Sequence, residues 1–179
     1  MTEQLVGTQC YLRPFGPSDC SDDYIGWLND PDVTRYLETG RSRSTRESVQ
    51  RYLARFWHGD TDYLFAIMDR ATDRHIGTVT LNNMHRHHRT ANTGLMIGCK
   101  DYWGKGYAFN AWTLLLSHAF EQWGLHKVTA GVLRGNVACQ RVLQKLGFQL
   151  EGTLRQQHLV EGVYHDALKF GLLSEEWRR

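Results

Sequence analysis

With 179 residues, 41% of them hydrophobic, and a formal net charge of +2, the chain is sized for one domain, residues 1–179, with a full core. The near-neutral balance leaves no electrostatic footprint for nucleic acid, and no apolar run is long enough to span a membrane. MTEQLVGTQCYLRPF carries no secretory leader pattern, so a cytoplasmic protein is expected. Cys10, Cys20, Cys99 and Cys139 have neither metal-ligand nor disulfide-framework spacing and are read as reduced thiols.

In chain order, residues 9–13 alternate well enough for a first strand, closed by Pro14 and Gly16. Ser18 or Asp19 caps a short helix carrying Tyr24, Trp27 and Leu28 on one face. Pro31 breaks it, and a further helical turn holds Val33, Tyr36 and Leu37. Ser44 and Glu47 have capping-box spacing at the head of a helix through Val49, Tyr52, Leu53 and Phe56. The pattern then switches to strands at 63–68, 76–81 and 91–97, with a turn at 69–74 and a polar loop at 83–89. A helix over 107–123 buries Ala108, Trp112, Leu115 and Ala119. A strand at 127–133, a helix at 137–146, and two strands at 149–157 and 164–173 complete the chain. Helices and strands first, then βαβ and a terminal hairpin, give an α+β fold with a mixed, mostly antiparallel sheet of about six or seven strands.

The stretch at 101–111, DYWGKGYAFNA, joins the apolar run Leu95, Met96, Ile97 to the long helix. A helix N-terminus leaves several backbone N–H groups without partners and favours negative charge. Glycine lets an anion approach that backbone closely, so the outline is that of a diphosphate cradle. A plain chain reversal explains the glycines about as well. The third glycine of the dinucleotide fingerprint is replaced by Phe109, and no Gly-Lys-Ser/Thr of a P-loop is present.

Two motifs together narrow the reading. Trp103-Gly104-Lys105-Gly106-Tyr107-Ala108 is followed about thirty residues later by Asn136, with Gly147-Phe148 eleven residues beyond that asparagine. In these the chain resembles the GNAT acyl-CoA N-acyltransferases, most closely the RimJ/RimL branch, over essentially its whole length. The resemblance implies a sheet whose central strands splay apart with acetyl-CoA, a co-substrate, lying in the gap. Residues 103–108 would cradle its diphosphate, Met96 and Ile97 would pair with the pantetheine arm, and Asn136 would supply an amide to it. Trp103 departs from the family's Gln/Arg, which removes a polar side chain but keeps the backbone donors. Asn136 alone would equally serve as a helix N-cap, and Arg141 is a candidate contact to the nucleotide phosphates.

Direct transfer needs a neutral amine, hence a base or a water relay, and some help to the leaving thiolate. A backbone N–H near Ile97 or Gly98 would assist the carbonyl. The tyrosine many family members carry seven residues after the asparagine is Leu143 here, and the branch's serine, three residues after it, is Cys139. Cys139 is therefore read as proton donor, as nucleophile or as a packed structural residue. His158 stands near the branch's glutamate and titrates in the right range for a base, whereas Asn92, at another acidic site, cannot take a proton. Trp27 and Tyr36 are expected at the acceptor wall, with Tyr52 and Trp57 in the core. Asn83 and His85 are expected in a loop lining the acceptor cleft. The run His85-Arg86-His87-His88 is read as a wet loop and not as a metal site. These features predict N-acetylation of a primary amine: a protein N-terminus, an amino sugar or a small amine. The rival is a non-catalytic acyl-CoA-binding module, and a monomer or homodimer is expected in either case.

Overall fold

One eight-stranded sheet runs through the molecule in the order β1-β2-β3-β4-β5-β6-β8-β7. The structure, a computed structural model, describes residues 4–38, 42–58 and 60–178, with side chains at all of these except 57 and 58; Trp57 therefore lies outside the side chains described. The strands are β1 (Leu5–Val6), β2 (Cys10–Pro14), β3 (Tyr63–Asp69), β4 (His75–His85), β5 (Thr90–Ile97), β6 (Lys127–Leu133), β7 (Gln149–Val160) and β8 (Val163–Leu173). Helices α1 (Asp22–Asn29), α2 (Pro31–Thr34) and α3 (Arg46–His58) precede β3, α4 (Tyr107–Ser117) joins β5 to β6, and α5 (Val137–Lys145) follows β6. Every described pairing is antiparallel except β5 with β6. A parallel pair needs a crossover, and α4 is that crossover. The eighth strand, absent from the expected count, is the two-residue β1, too short to show a period.

The sheet is covered on both faces. On one, α4 buries Ala111, Trp112, Leu115 and Leu116, and Leu143 of α5 joins them in a cluster with Ile67, Val79, Leu81, Val128 and Phe170. Full burial of a side chain such as Leu115 contributes roughly 1.5–3 kcal/mol. The other face receives Tyr24 and Leu28 of α1 and Val49 and Leu53 of α3, packed on Leu64, Ala66 and Met96. Ala108, expected in the core, is half-buried at the head of α4, one turn short of the packed face.

Local signals shift by a residue or two. Ser21, not Ser18 or Asp19, caps α1 by accepting from the Tyr24 N–H at 3.2 Å, while residues 17–19 form a separate 3-10 turn. At the head of α3 the reciprocal pair is Thr45 and Ser48, not Ser44 and Glu47. The helix after the glycine turn ends in a π-turn, His118–Gln122.

The feature that positions a site is a divergence. β5 and β6 are paired from Thr90↔Lys127 to Thr93↔Ala130 and no further. Beyond that point β5 stays with β4 as far as Ile97↔Gly77, and β6 stays with β8 as far as Leu133↔Ala167. The two halves of the sheet part, leaving the edge of β5 at residues 94–97 without a strand partner on that side.

Candidate active site

Directly above the parting lies the glycine turn. Gly104 and Gly106 have φ of +72° and +89°, a left-handed conformation that costs other residues roughly 1–2 kcal/mol. A Cβ at Gly104 would meet nothing within 4 Å, so the turn faces open space. Gly106 is the N-cap of α4, and no side chain caps the orphan donors of its first turn. An anion is the natural partner for such a set, so the residues present fit a diphosphate.

The turn is braced from two sides. The Trp103 indole Nε1 donates to the Ile97 carbonyl at 2.7 Å, tying the turn to the end of β5. Gln9 Nε2 donates to the Lys105 carbonyl at 3.1 Å, and Asn110 Oδ1 of α4 accepts from the N–H groups of Gln9 and Cys10. Trp103 thus replaces the polar residue of the family motif with an indole that does a bracing job. The same bond corrects one detail: the Ile97 carbonyl is already occupied, so the available edge runs back from there towards Gly94. The N–H groups of Gly98 and Cys99 both donate to the Ile76 carbonyl, at 2.9 and 3.1 Å, so Gly98 is not a free donor for a reacting carbonyl.

On the other lip of the gap, Asn136 is the N-cap of α5, and its Oδ1 accepts from the Cys139 N–H at 3.1 Å. Tyr36 lies against the residue before it, Cε1 being 3.3 Å from where a Gly135 Cβ would stand. Trp27 covers Gly98 so closely that a Cβ there would be 2.0 Å from ring carbon Cδ2. Both aromatics thus flank the gap from the helical layer. Arg141 is exposed on α5, whereas Arg134 is engaged by Asp166 at 3.0 Å.

Cys139 packs against the main core, and burial pushes its thiol up to about 12. Burial thus disfavours the charged thiolate that full proton transfer from Cys139 would leave behind. The same burial withholds the thiolate that a nucleophile requires. The structural alternative for Cys139 is the one its surroundings favour. Leu143 is fully buried.

A cleft of about 350 Å³ opens between α1, α3 and the sheet. Its walls include Tyr24, Leu28 and Tyr52, its floor Thr78 and Thr80, and it ends on residues 94–96. Those three are the residues at the open edge of β5, so cleft and gap meet there. Tyr52, expected in the core, is 49% exposed and lines this cleft instead. Glu38 stands among the lining residues and pairs with His158, Oε1 to Nδ1 at 2.6 Å. Sequence reasoning missed Glu38, since a lone glutamate in a polar loop carries no signal.

Asn83 and His85 are corrections. They sit at the β4–β5 hairpin, where Asn83 N–H donates to Asp62 and the His85 ring stacks on His88 at 4.2 Å. His85 pairs with Thr90, four residues before Gly94 where the gap opens, which places it roughly 13 Å along the strand from the near end of the gap. Asn92 donates to Thr129 Oγ1 at 3.2 Å, a polar tie between β5 and β6 just before they part. Among the described residues no three His, Cys, Asp or Glu side chains gather as a metal site. No described helix is long and apolar enough to cross a membrane.

Comparison with known proteins agrees with this geometry. The family profile described as "Acetyltransferase (GNAT) domain" matches residues 9–149. Probable N-acetyltransferase YjcK of Bacillus subtilis (strain 168) is 30% identical over 179 residues, covering 96% of this chain and 98% of that protein. Spermidine N(1)-acetyltransferase of Escherichia coli (strain K12) is 25% identical over 140 residues, covering 69% of this chain and 75% of that protein. The crystal structure of spermidine N-acetyltransferase from Vibrio cholerae in complex with CoA and spermine has a TM-score of 0.85 at 22% identity, covering 94% of this chain and 97% of that one. That last likeness is one of fold. The glycine turn above parted strands is thus accounted for by descent: the chain belongs to the GNAT acetyltransferase family and is an N-acetyltransferase.

Proposed function

We propose that this RimJ/RimL-like enzyme takes the acetyl group of acetyl-CoA and passes it directly to a primary amine that carries an apolar flank. One observation supports the reading above the rest: residues 94–96 form both the unpaired edge of β5 and the end of the cleft. A donor held along the edge and an amine held in the cleft would meet at the same three residues.

Acetyl-CoA, when bound, supplies an acetyl group already activated as a thioester. The backbone donors of residues 104–108 hold the diphosphate at the head of α4, with Lys105 adding charge at an exposed position. The open edge at Met96 and its neighbours pairs with the amides of the pantetheine arm, in the manner of an added strand. Ile97 contributes through its place at the end of that edge, its carbonyl being held by Trp103. Asn136 presents the Nδ2 that its cap leaves over, and Arg141 lies on the exposed side of the same helix.

An amine arrives mostly protonated, and only its neutral form attacks. Glu38 and His158 provide a carboxylate–imidazole pair beside the cleft that accepts that proton. Trp27 and Tyr36 shape the approach from the helical layer. Among the described lining residues Glu38 is the one carboxylate, and the rest of the wall is apolar or hydroxylic. A polycation needs several anionic partners on leaving water, and an amino sugar needs many directed hydrogen bonds. This lining favours a monoamine with an apolar body, whether the amino terminus of a peptide or a small amphipathic amine.

Release of free thiol from acetyl-CoA, followed against a peptide with an apolar first residue, phenethylamine, spermidine and glucosamine, tests the proposal. The peptide or phenethylamine is expected to give the highest kcat/KM. Spermidine or glucosamine ahead of both would refute the acceptor reading. Release no faster than without amine across a wider panel would refute direct transfer to amines.

A further inference from the structure

Two tyrosines bracket the glycine turn, Tyr102 before it and Tyr107 after it, and both reach one carboxylate. Asp69, the last residue of β3, is 3% exposed. Its Oδ1 accepts from the Tyr107 hydroxyl at 2.8 Å, and its Oδ2 accepts from Tyr102 at 3.2 Å and from Thr72 at 2.5 Å. The two phenol rings meet edge to face with centroids 5.0 Å apart. Among the described residues no lysine, arginine or histidine is paired with this aspartate.

A buried carboxylate close to an anion site is costly on two counts. It loses its own hydration, and it repels the charge that the neighbouring backbone is arranged to attract. Burial pushes the Asp69 pKa up, but bonds from Thr72, Tyr107, the Ala71 N–H and Tyr102 outweigh this and hold it below the usual carboxylate range. Tyr107 moves the other way, pushed up to about 12 by burial and by its bond to Asp69. The carboxylate therefore stays ionised while the Tyr107 phenol keeps its proton, so the bond between them is charge-assisted.

The geometry explains what such a group does there. The segment between the two tyrosines contains both left-handed glycines, which have the largest backbone freedom to lose. Fixing residues 102 and 107 to opposite oxygens of one rigid carboxylate sets the span of the turn at both ends. The donors of residues 104–108 then need no rearrangement to meet an anion, which is the usual route by which preorganisation adds affinity.

We propose that Asp69 is a positioning residue for the diphosphate turn, acting through Tyr102 and Tyr107 without touching the ligand. The inference rests on the reading of residues 104–108 as the diphosphate site. Thr72 belongs to the β3–β4 turn; its Oγ1 bonds the same carboxylate and lies 3.4 Å from the Tyr102 hydroxyl, so its removal takes a bond from Asp69 while both tyrosine–Asp69 bonds remain, which supplies an internal control.

The test compares two donors, acetyl-CoA and S-acetylpantetheine, which lacks the diphosphate and nucleotide. Asp69→Asn, Tyr102→Phe and Thr72→Ala are assayed for kcat and KM with each donor at a fixed saturating amine. Asp69→Asn is expected to raise KM for acetyl-CoA about tenfold more than KM for S-acetylpantetheine, while kcat changes less than either. Tyr102→Phe, which keeps the charge and removes one bond, is expected to give a smaller shift in the same direction, and Thr72→Ala to leave the ratio of the two KM values at its starting value. Equal losses with both donors, no loss with either, or a Thr72→Ala ratio like that of Asp69→Asn would each overturn the proposal. Should Asp69→Asn fail to fold, the Tyr102→Phe and Tyr107→Phe double variant decides by the same ratio. A wild-type protein that used both donors equally well would instead overturn the diphosphate reading itself.

Discussion

Asn136 has two duties assigned to it, and they can be separated by choice of substitution. Its Oδ1 caps α5 through the Cys139 N–H at 3.1 Å, while its Nδ2 is what remains for a donor molecule. Serine ranks with asparagine as an N-cap, so Asn136→Ser keeps the cap and removes the amide. Asn136→Ala removes both. Loss of the cap costs about 1 kcal/mol, which in a domain of this size lowers Tm by about 2–4 °C. Loss of one ligand hydrogen bond costs roughly 0.5–1.5 kcal/mol, a factor of about 2–13 in dissociation constant. Calorimetric unfolding and titration with acetyl-CoA together read the two terms. Asn136→Ser should melt within about a degree of the wild type and bind acetyl-CoA several-fold more weakly, and Asn136→Ala should show both losses. If Asn136→Ser binds acetyl-CoA as tightly as the wild type, the amide contributes nothing and the asparagine is a cap alone.

Gly106→Ala places a Cβ 3.2 Å from Gln9 Oε1 at a φ of +89°, so it should raise KM for acetyl-CoA by about tenfold through left-handed strain and a displaced brace; an unchanged KM would remove the turn from the site. Cys139→Ser should retain more than about a third of kcat, because burial withholds the thiolate that a nucleophile requires, whereas loss of a hundredfold or more would restore an acyl-thiol route. The pair Arg13–Asp19 gives an acid-stability test. Burial raises the Asp19 pKa, but the Arg13 guanidinium at 2.6 and 2.7 Å and the Gly16 N–H outweigh it and hold the carboxyl below the usual range. A depressed folded-state pKa contributes stability that is present above the unfolded value of about 3.9 and lost as pH falls through the folded one. Asp19→Asn should therefore cost about 3 kcal/mol in urea unfolding at pH 7, and the share of that cost that comes from ionisation should fade as pH drops below the unfolded value and through the depressed folded one; a difference independent of pH would mean that the ion pair is not its source.

What could be read from the sequence was whatever is encoded locally. The strand at 127–133 sets Val128, Ala130 and Val132 at alternate positions, and its bounds coincide with β6. The turn at 104–106 was visible because glycine is the residue that left-handed backbone requires. Asn136 was legible as a cap for the same reason: residue type and distance along the chain suffice. Contacts between distant parts were not legible. Glu38 meets His158, Trp27 covers Gly98, and Tyr36 lies on Gly135, each across a separation that no periodicity reports. Asn83 and His85 show the complementary error. A polar loop beside two site strands looks like a site loop, but sequence does not say at which end of the strands it emerges, and here it is the far end.

The parting of the sheet can be traced to particular residues. Up to the last β5–β6 pair the two strands are stitched by more than backbone: Asn92 Nδ2 donates to Thr129 Oγ1 at 3.2 Å, and Thr129 Oγ1 donates to the Ala91 carbonyl at 3.3 Å. The next residues on each strand are Gly94 and Gly131, neither of which brings a side chain to continue the stitching. Each strand meanwhile has a better-paired neighbour on its outer side, β4 for one and β8 for the other. Once separated, the inner edge of β5 carries backbone polar groups that cost about 1–3 kcal/mol apiece if buried without partners. The protein satisfies one of them itself, by turning Trp103 onto the Ile97 carbonyl. Leaving the rest of that edge to be met from outside is a local sacrifice of stability, and it is this sacrifice that gives a peptide-like arm something to bind.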